Sequence, residues 1–268
     1  MDEPAKKPRR GGIYFLPNAL TTGALCSGFF AIVSANQGWF DWAAYAIFFS
    51  MLMDGLDGRV ARWTNTQSDF GAQYDSLADM VSFGIAPALI MFEFALDQMG
   101  KVGWVAAFIY TAAAALRLAR FNTQIGVADK RFFQGLASPS AAAIVTSYVW
   151  MSDLYLPTHP LVNIIGAFIT IAAGVLMVSN IRYFSFKGFD FRSKVPFVTM
   201  VGIVLIIAVV FSDPPIVLFT IFIVYAASGP VFTLFELRRR REERRQHTKS
   251  PQANTDDHPQ AADDAQKK

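Results

Sequence analysis

Four aspartates stand close together in the sequence: Asp54, Asp57, Asp75 and Asp79. The first two are three residues apart and the last two are four apart, so on helices each pair projects from one face. Their surroundings are apolar enough for a membrane, where an ionised carboxylate at a helix centre costs about 2.5 to 3.5 kcal/mol. A bound cation is the simplest compensation. Carboxylate oxygens suit hard ions such as Mg2+ or Mn2+, and no His or Cys stands nearby to favour zinc or copper.

The elements that carry these acids are predicted to be membrane helices. The chain has 268 residues, of which 53% are hydrophobic and 17% charged. Apolar stretches near 20 residues, the length that spans about 30 Å of hydrocarbon, occur roughly eight times. We therefore predict an all-α, polytopic membrane helix bundle with spans near residues 18–36, 40–58, 74–95, 102–121, 137–155, 161–179, 195–212 and 214–236.

The basic residues predict the orientation of this bundle. With eight crossings, 23 of the 24 Lys and Arg fall on one side and only Lys101 falls on the other. Basic residues stay on the cytoplasmic side, so both termini and the acidic segment are predicted to be cytoplasmic, in a bacterial cytoplasmic membrane. The predicted organisation is a basic interfacial N-terminus (1–17), a transmembrane catalytic domain (18–237) and a disordered polar tail (238–268).

Charge and cysteine content exclude other partners and sites. The pI near 9.0 reflects basic loops suited to anionic lipid headgroups, and no interleaving of aromatic and basic residues indicates nucleic acid. Cys26 is the single cysteine, so it forms no intrachain disulfide and no metal cluster.

The acids belong to a longer pattern with glycines and an arginine. It reads Asp54-x-x-Asp57-Gly58-x-x-Ala61-Arg62, eight residues, then Gly71-x-x-x-Asp75-x-x-x-Asp79. This pattern resembles the signature of the CDP-alcohol phosphotransferase family, in residue types and in spacing. The resemblance implies a core of six helices, here with two more, and phosphoryl transfer from a CDP-linked lipid with release of CMP.

The resemblance also implies residue roles. Asp54, Asp57 and Asp75 would bind two divalent ions, and Asp79 would join them and take the proton from the attacking hydroxyl. Contacts with the CDP-lipid would come from several further positions: Gly58, Arg62, Ser68, Asn18 and Thr21, with Ala61 and Gly71 providing space. Asn18 and Thr21 also suit helix initiation and capping, and that alternative stays open.

Three later segments resemble parts of bacterial phosphatidylserine synthases: LRLARFN (116–122), FQGLASPSAAA (133–143) and LMVSNIRYFSFK (176–187). This similarity implies CDP-diacylglycerol as donor, L-serine as acceptor and a homodimer. A serine carboxylate needs a fixed cation, for which Arg120 is the first candidate. Further candidates for the acceptor pocket are Arg117, Ser138, Asn180 and Arg182. These arginines also fit the positive-inside rule or a lipid phosphate, which leaves their role open.

Two alternative functions remain from the sequence. The acceptor could be another alcohol, such as glycerol 3-phosphate or an inositol compound. A divalent cation transporter would also place carboxylates in a membrane, but it has no obvious use for the accompanying glycines and arginine.

Overall fold

The computed structural model describes residues 15–123, 132–156, 159–184 and 197–249. Within these ranges helices dominate, and a helix lies at each of the eight predicted positions. The α-helices are α1 (Phe15–Asn36), α2 (Phe40–Trp63), α3 (Asp69–Asp79), α4 (Ala86–Met91), α5 (Lys101–Thr123), α6 (Ser138–Tyr155), α7 (Pro160–Val178), α8 (Phe197–Ser212) and α9 (Pro214–Lys249). The chain is a polytopic helical membrane protein.

Helices α3 and α4 belong to one continuous helical rod, residues 69–99. A π-helical stretch (Met80–Ile85) joins them, and a second one (Phe92–Leu96) and a short 3-10 turn (Asp97–Met99) follow α4. A π turn leaves a backbone carbonyl without its usual helical donor, and here Tyr110 of α5 donates its hydroxyl to the Phe83 carbonyl at 3.0 Å. Such turns are frequent at functional sites, and this one begins directly after Asp79.

Five helical segments in the described ranges are long and apolar enough to cross a membrane. They are Leu16–Asn36, Asp69–Met99, Lys101–Thr123, Pro160–Val178 and Pro214–Thr233. The predicted count of eight is therefore not confirmed. Helix α2 falls short because it carries Asp41, Asp54 and Asp57 together with two arginines.

Helix α6 is long enough, but its serines, threonine and proline make it less apolar than the five segments. All ten residues from Ala141 to Trp150 are buried, and α6 packs against α2, α4 and α7. Because protein rather than lipid surrounds this helix, its serines and threonine do not meet hydrocarbon. Helix α8 has only 16 residues.

Small polar residues tie together the three helices next to the acids. The carbonyl oxygen of Ala24 in α1 accepts from Ser50 Oγ of α2 at 2.9 Å and from Ser82 Oγ of the rod at 3.1 Å. A Cβ atom at Gly28 would lie 2.4 Å from Ser82 Oγ, so only glycine allows this approach of α1 to the rod. Close packing through small residues and hydroxyls is the usual way in which membrane helices associate.

A short antiparallel ladder is an exception to the predicted all-α fold. Strand β1 (Phe132–Gln134) pairs with β2 (Arg182–Phe184), with Gln134 opposite Arg182. The segment after β1 is fixed to the end of α7, because Gly135 N donates to Ile181 O at 2.9 Å and Leu136 N donates to Leu176 O at 3.0 Å. Tyr183 is buried and donates to the Ala226 carbonyl of α9 at 3.0 Å; burial raises the pKa of this phenol to about 12, so it stays a donor at neutral pH.

Two compact units make up the chain, Met1–Pro230 and Val231–Lys268. The first holds α1 to α8, the ladder and the start of α9; the second holds the remainder of α9. The predicted domain boundaries after residues 17 and 237 stay predictions. Most of the predicted N-terminal segment, residues 1–14, and the last part of the predicted tail, residues 250–268, lie outside the described residues.

Candidate active site

Three of the four acids form a compact cluster between α2 and α3. Asp54, Asp57 and Asp75 each present one carboxylate oxygen within 4.8 Å of the others. Asp57 is buried, with 5% of its surface exposed, and the other two are half-buried. The predicted pairing of acids from two facing helices is therefore present in the structure.

Asp79, the last residue of α3, lies against the same cluster. Its carboxyl group is within hydrogen-bonding reach of that of Asp54. It also lies close enough to Arg117 of α5 for an electrostatic interaction. Asp79 thus stands between the acid cluster and the end of α5, where the predicted acceptor residues lie.

The donor set fits a hard divalent cation. Among the described residues, no Lys or Arg forms an ion pair within 4.0 Å of any of the four carboxylates. Asp54, Asp57 and Asp75 are partly buried carboxylates without such a partner, which is costly, so their arrangement favours a bound cation. Ligand oxygens of Mg2+ lie about 2.0 to 2.1 Å from the ion, so the oxygens of this cluster need only small side-chain rotations to share one. The residues that could hold such ions are Asp54, Asp57 and Asp75, with Asp79 beside them.

Residues outside the acidic motif hold the cluster in place. Thr21 Oγ1 of α1 donates to Asp57 Oδ2 at 2.7 Å. The Thr22 and Tyr74 hydroxyls are 2.9 Å apart, which links α1 to the residue before Asp75. Thr21 thus contacts an acid, a role that the sequence did not suggest.

A second link comes from α5. Asn122 Nδ2 donates to Ser76 Oγ at 3.0 Å, and Ser76 directly follows Asp75. No role for Thr22, Tyr74, Ser76 and Asn122 was predicted from the sequence. Tyr74 and Ser76 flank Asp75, and their polar side chains beside an acid could have indicated a role. Their partners on α1 and α5 could not have been identified in this way, because they are distant in sequence.

Gly58 and Arg62, two of the positions predicted for the CDP-lipid, lie with Gly55 at an open surface beside the acids. Gly55 has no heavy atom within 4 Å of an added Cβ, and at Gly58 the only such atom is Arg62 Nη1, at 3.8 Å. Arg62 is exposed, so its guanidinium lies next to Gly58 and is accessible. A ligand can therefore approach the α2 backbone on this side.

Ser68, Gly71 and Asn18 meet at the start of α3. Ser68 is the N-cap of that helix and its Oγ accepts from Gly71 N at 3.0 Å. A Cβ at Gly71 would lie 3.1 Å from Ser68 Oγ and 3.5 Å from Asn18 Oδ1. Glycine at position 71 therefore leaves room for the Ser68 side chain, which has a clear capping role, and space for a CDP-lipid at Gly71 stays a prediction. The Ala61 carbonyl accepts from Thr66 N at 3.1 Å and closes the turn after α2.

The predicted acceptor residues come together in two groups. Arg117 Nη1 donates to the buried Ser138 Oγ at 2.7 Å. Arg120 Nη2 donates to Asn180 Oδ1 at 2.8 Å and also to Gln134 Oε1. Arg182 pairs through its backbone in β2, and its side chain lies outside the described structure. No role for Gln134 was predicted from the sequence.

Comparisons with known proteins find a family and several relatives. The family described as CDP-alcohol phosphatidyltransferase matches residues 14–232. A CDP-diacylglycerol–serine O-phosphatidyltransferase of Helicobacter pylori is 35% identical over 202 residues, which cover 75% of this chain and 84% of that protein. The Mycobacterium tuberculosis enzyme of the same name is 41% identical over 141 residues, 50% of this chain and 49% of that protein. An archaetidylserine synthase of Methanothermobacter thermautotrophicus is 34% identical over 170 residues, 63% of this chain and 69% of that protein.

Proposed function

Because the chain belongs to the CDP-alcohol phosphatidyltransferase family, we propose that it transfers the phosphatidyl group of CDP-diacylglycerol to L-serine, giving phosphatidylserine and CMP. Phosphatidyl transfer to an alcohol is the activity of the family. Serine as the alcohol is supported by the names of the relatives, and by Arg117, which lies near Asp79 and is of a residue type that pairs with carboxylates. The observation that carries the proposal is the gathering of Asp54, Asp57 and Asp75 with no countercharge among the described residues.

The acids would hold two divalent ions, Mg2+ or Mn2+. Asp54, Asp57 and Asp75 would be ligands, and Asp79 would complete the site from the end of α3. When bound, such ions would neutralise the diphosphate oxygens and the charge that develops on the leaving CMP. Thr21 would orient Asp57 through its 2.7 Å hydrogen bond.

The CDP moiety would lie over the open part of α2. Gly58 lets the ligand approach the backbone, and the exposed Arg62 beside it can pair with a phosphate. The N-terminus of α3, capped by Ser68, offers backbone N–H groups and a favourable dipole for an anion. Ala61 and Gly71 would leave room for the ligand, and Asn18 borders this region from α1.

In the transfer step, the serine hydroxyl attacks the phosphorus that carries the diacylglycerol. A bond forms between serine Oγ and this phosphorus, and the bond from the phosphorus to the oxygen of CMP breaks. Asp79 accepts the hydroxyl proton, and CMP leaves with the electron pair of the broken bond. The position of Asp79 between the acid cluster and the end of α5 suits this role.

Serine would bind at the cytoplasmic ends of α5, α6 and α7. Arg120 would pair with its carboxylate, and Arg117, Ser138, Asn180 and Arg182 would complete the pocket. The contacts between Arg117 and Ser138 and between Arg120 and Asn180 support one shared pocket, because they join segments that are far apart in sequence.

We propose that the active site and both termini lie on the cytoplasmic side of a bacterial inner membrane. The distribution of basic residues supports this orientation, in which the basic loops would meet anionic lipids. We propose a homodimer as the assembly. Cross-linking in membranes that yields only the monomer would contradict this assembly.

The test is CMP release by the purified protein with CDP-diacylglycerol, Mg2+ or Mn2+ and single acceptors. Serine should support release, and glycerol 3-phosphate and inositol should not. If one of these alcohols works and serine does not, the serine assignment is wrong and the family reaction still stands.

A further inference from the structure

Arg120 is a cation without a countercharge in the part of the chain that the structure describes. No Asp or Glu lies within ion-pair distance of its guanidinium there. Its hydrogen bonds in these ranges go to two side-chain amide oxygens, Gln134 Oε1 and Asn180 Oδ1, and both start from Nη2. These neutral acceptors orient the Arg120 guanidinium but do not neutralise its positive charge.

The two amides come from one docked unit at the end of α7. Asn180 lies two residues beyond the end of that helix, and Gln134 is the last residue of β1, paired with Arg182 of β2. The neighbours of Gln134 satisfy carbonyl groups in and after the last turn of α7, as Leu136 N donates to Leu176 O at 3.0 Å and Gly135 N to Ile181 O at 2.9 Å. The last carbonyl groups of a helix have no donor within the helix. The segment after β1 supplies such donors, which fixes its position at the end of α7.

Gly135 makes this docking possible. Its φ is +80° and an added Cβ would lie 2.2 Å from the Met177 carbonyl oxygen. No other residue type fits both conditions, since a side chain disfavours the left-handed region and would collide with the α7 backbone. Gly135 therefore fixes the position of Gln134 relative to Asn180.

We infer that Gln134 is a positioning residue which, together with Asn180, orients Arg120 for the carboxylate of the acceptor. This inference rests on the proposed function, in which Arg120 binds that carboxylate. Both hydrogen bonds within the described ranges use Nη2, so among these residues the N–H groups of Nη1 and Nε remain for the ligand. A guanidinium that is already oriented loses less side-chain entropy on binding, and an unneutralised one attracts an anion more strongly.

The test uses two substitutions of Gln134 in the full-length protein. Gln134→Met keeps the approximate volume and removes the acceptor atom. It should raise the KM for serine about tenfold, the size of one hydrogen-bond contribution, with kcat and the KM for CDP-diacylglycerol nearly unchanged. Gln134→Glu keeps an acceptor atom and adds a negative charge that neutralises Arg120, so it should raise the KM for serine at least as much.

A matched control exists at another amide pair. Gln98 Oε1 accepts from Asn163 Nδ2 at 3.0 Å, between the rod and α7, and Gln98→Met should leave the KM for serine unchanged. Asn180→Ala is the second variant in case the Gln134 variants do not fold, and it should also raise the KM for serine selectively.

Each outcome separates the two proposals. No serine turnover by the unmodified protein contradicts the proposed function, and the inference with it. Serine turnover with an unchanged KM in the Gln134 and Asn180 variants contradicts the inference alone. A near-normal KM for serine in Gln134→Glu also contradicts the inference. So does a fall in both kcat and melting temperature of the Gln134 variants without a selective rise in the KM for serine, because this result indicates a purely structural contact.

Discussion

The orientation of the Asp57 carboxylate depends on Thr21, a residue outside the acidic motif. Asp57 is the most buried acid of the three-residue cluster, and the Thr21 hydroxyl donates to it across the contact between α1 and α2. Hydrogen bonds to a metal-binding carboxylate fix its orientation, and their loss typically costs about 10- to 100-fold in metal affinity or activity. Thr21 is therefore expected to contribute to metal affinity by orienting Asp57.

Thr21→Val should raise the Mg2+ concentration for half-maximal activity about tenfold, because the isosteric side chain removes the donor to Asp57. Metal titration of CMP release measures this. Thr111→Val is the control, since the Thr111 hydroxyl donates to the Ala107 carbonyl of its own helix. A raised KM for CDP-diacylglycerol with normal metal dependence would instead support the nucleotide contact expected from the sequence.

Asp79→Asn should lower kcat by about a hundredfold to ten-thousandfold, the range that general bases contribute. CDP-lipid binding and thermal stability should be retained, because an amide has nearly the same shape. Asp69→Asn in the first turn of the same helix is the matched control, since Asp69 is exposed. Near-normal turnover by the Asp79 variant would remove this residue as the base.

At the scale of elements, the site depends on how closely α1 approaches the rod. Gly28 faces Ser82, which lies three residues beyond Asp79, and Ser82 donates to the Ala24 carbonyl. A Cβ at Gly28 would lie 2.7 Å from Ser82 Cα, a backbone atom that no side-chain rotation can move. The distance between α1 and the acids therefore depends on this glycine.

Gly28→Ala should lower the melting temperature in detergent and reduce activity. Overpacking costs about 1 to 3 kcal/mol, while alanine regains about 1 kcal/mol of helix propensity, so a net loss of up to about 2 kcal/mol is expected. Gly202→Ala in α8 is the control, because nothing lies within 4 Å of its added Cβ. Equal melting temperatures of the two variants would contradict the close approach.

Hydropathy predicted the helices well because long apolar segments have few alternatives to a helix in a membrane. The rod nevertheless begins at Asp69 rather than near residue 74, because Ser68 caps a polar first turn that hydropathy does not count. The π-helical stretches and the three-residue strands were not predicted, since they depend on partners such as Tyr110 and the end of α7.

The acid cluster of the candidate site was predictable from the sequence, but the contacts that hold it in place were not. The spacing of the acids on two helices predicted that they would face each other, and three of them do form a cluster. The contacts of Thr21 with Asp57 and of Gln134 with Arg120 were not predictable, because each joins segments that only tertiary packing brings together.

For the whole molecule, the basic loops predict which end of the bundle faces the cytoplasm. Gln37 and Gln67 are exposed residues in the loops at opposite ends of α2, which makes them a matched pair. In a Cys26→Ser background, an impermeant maleimide should label Gln37→Cys in intact cells and Gln67→Cys only after permeabilisation. The reverse pattern would place the acid cluster on the outer side and contradict the proposed orientation.

The central claim is that this membrane enzyme uses serine as its phosphatidyl acceptor. The most direct measurement combines isotopically labelled serine, CDP-diacylglycerol and Mg2+ or Mn2+ with the purified protein, and quantifies labelled phosphatidylserine and CMP together. The account predicts that both appear in equal amounts, only with the metal present, and not with Asp79→Asn. CMP release without label in the lipid, or release that another alcohol supports and serine does not, would contradict it.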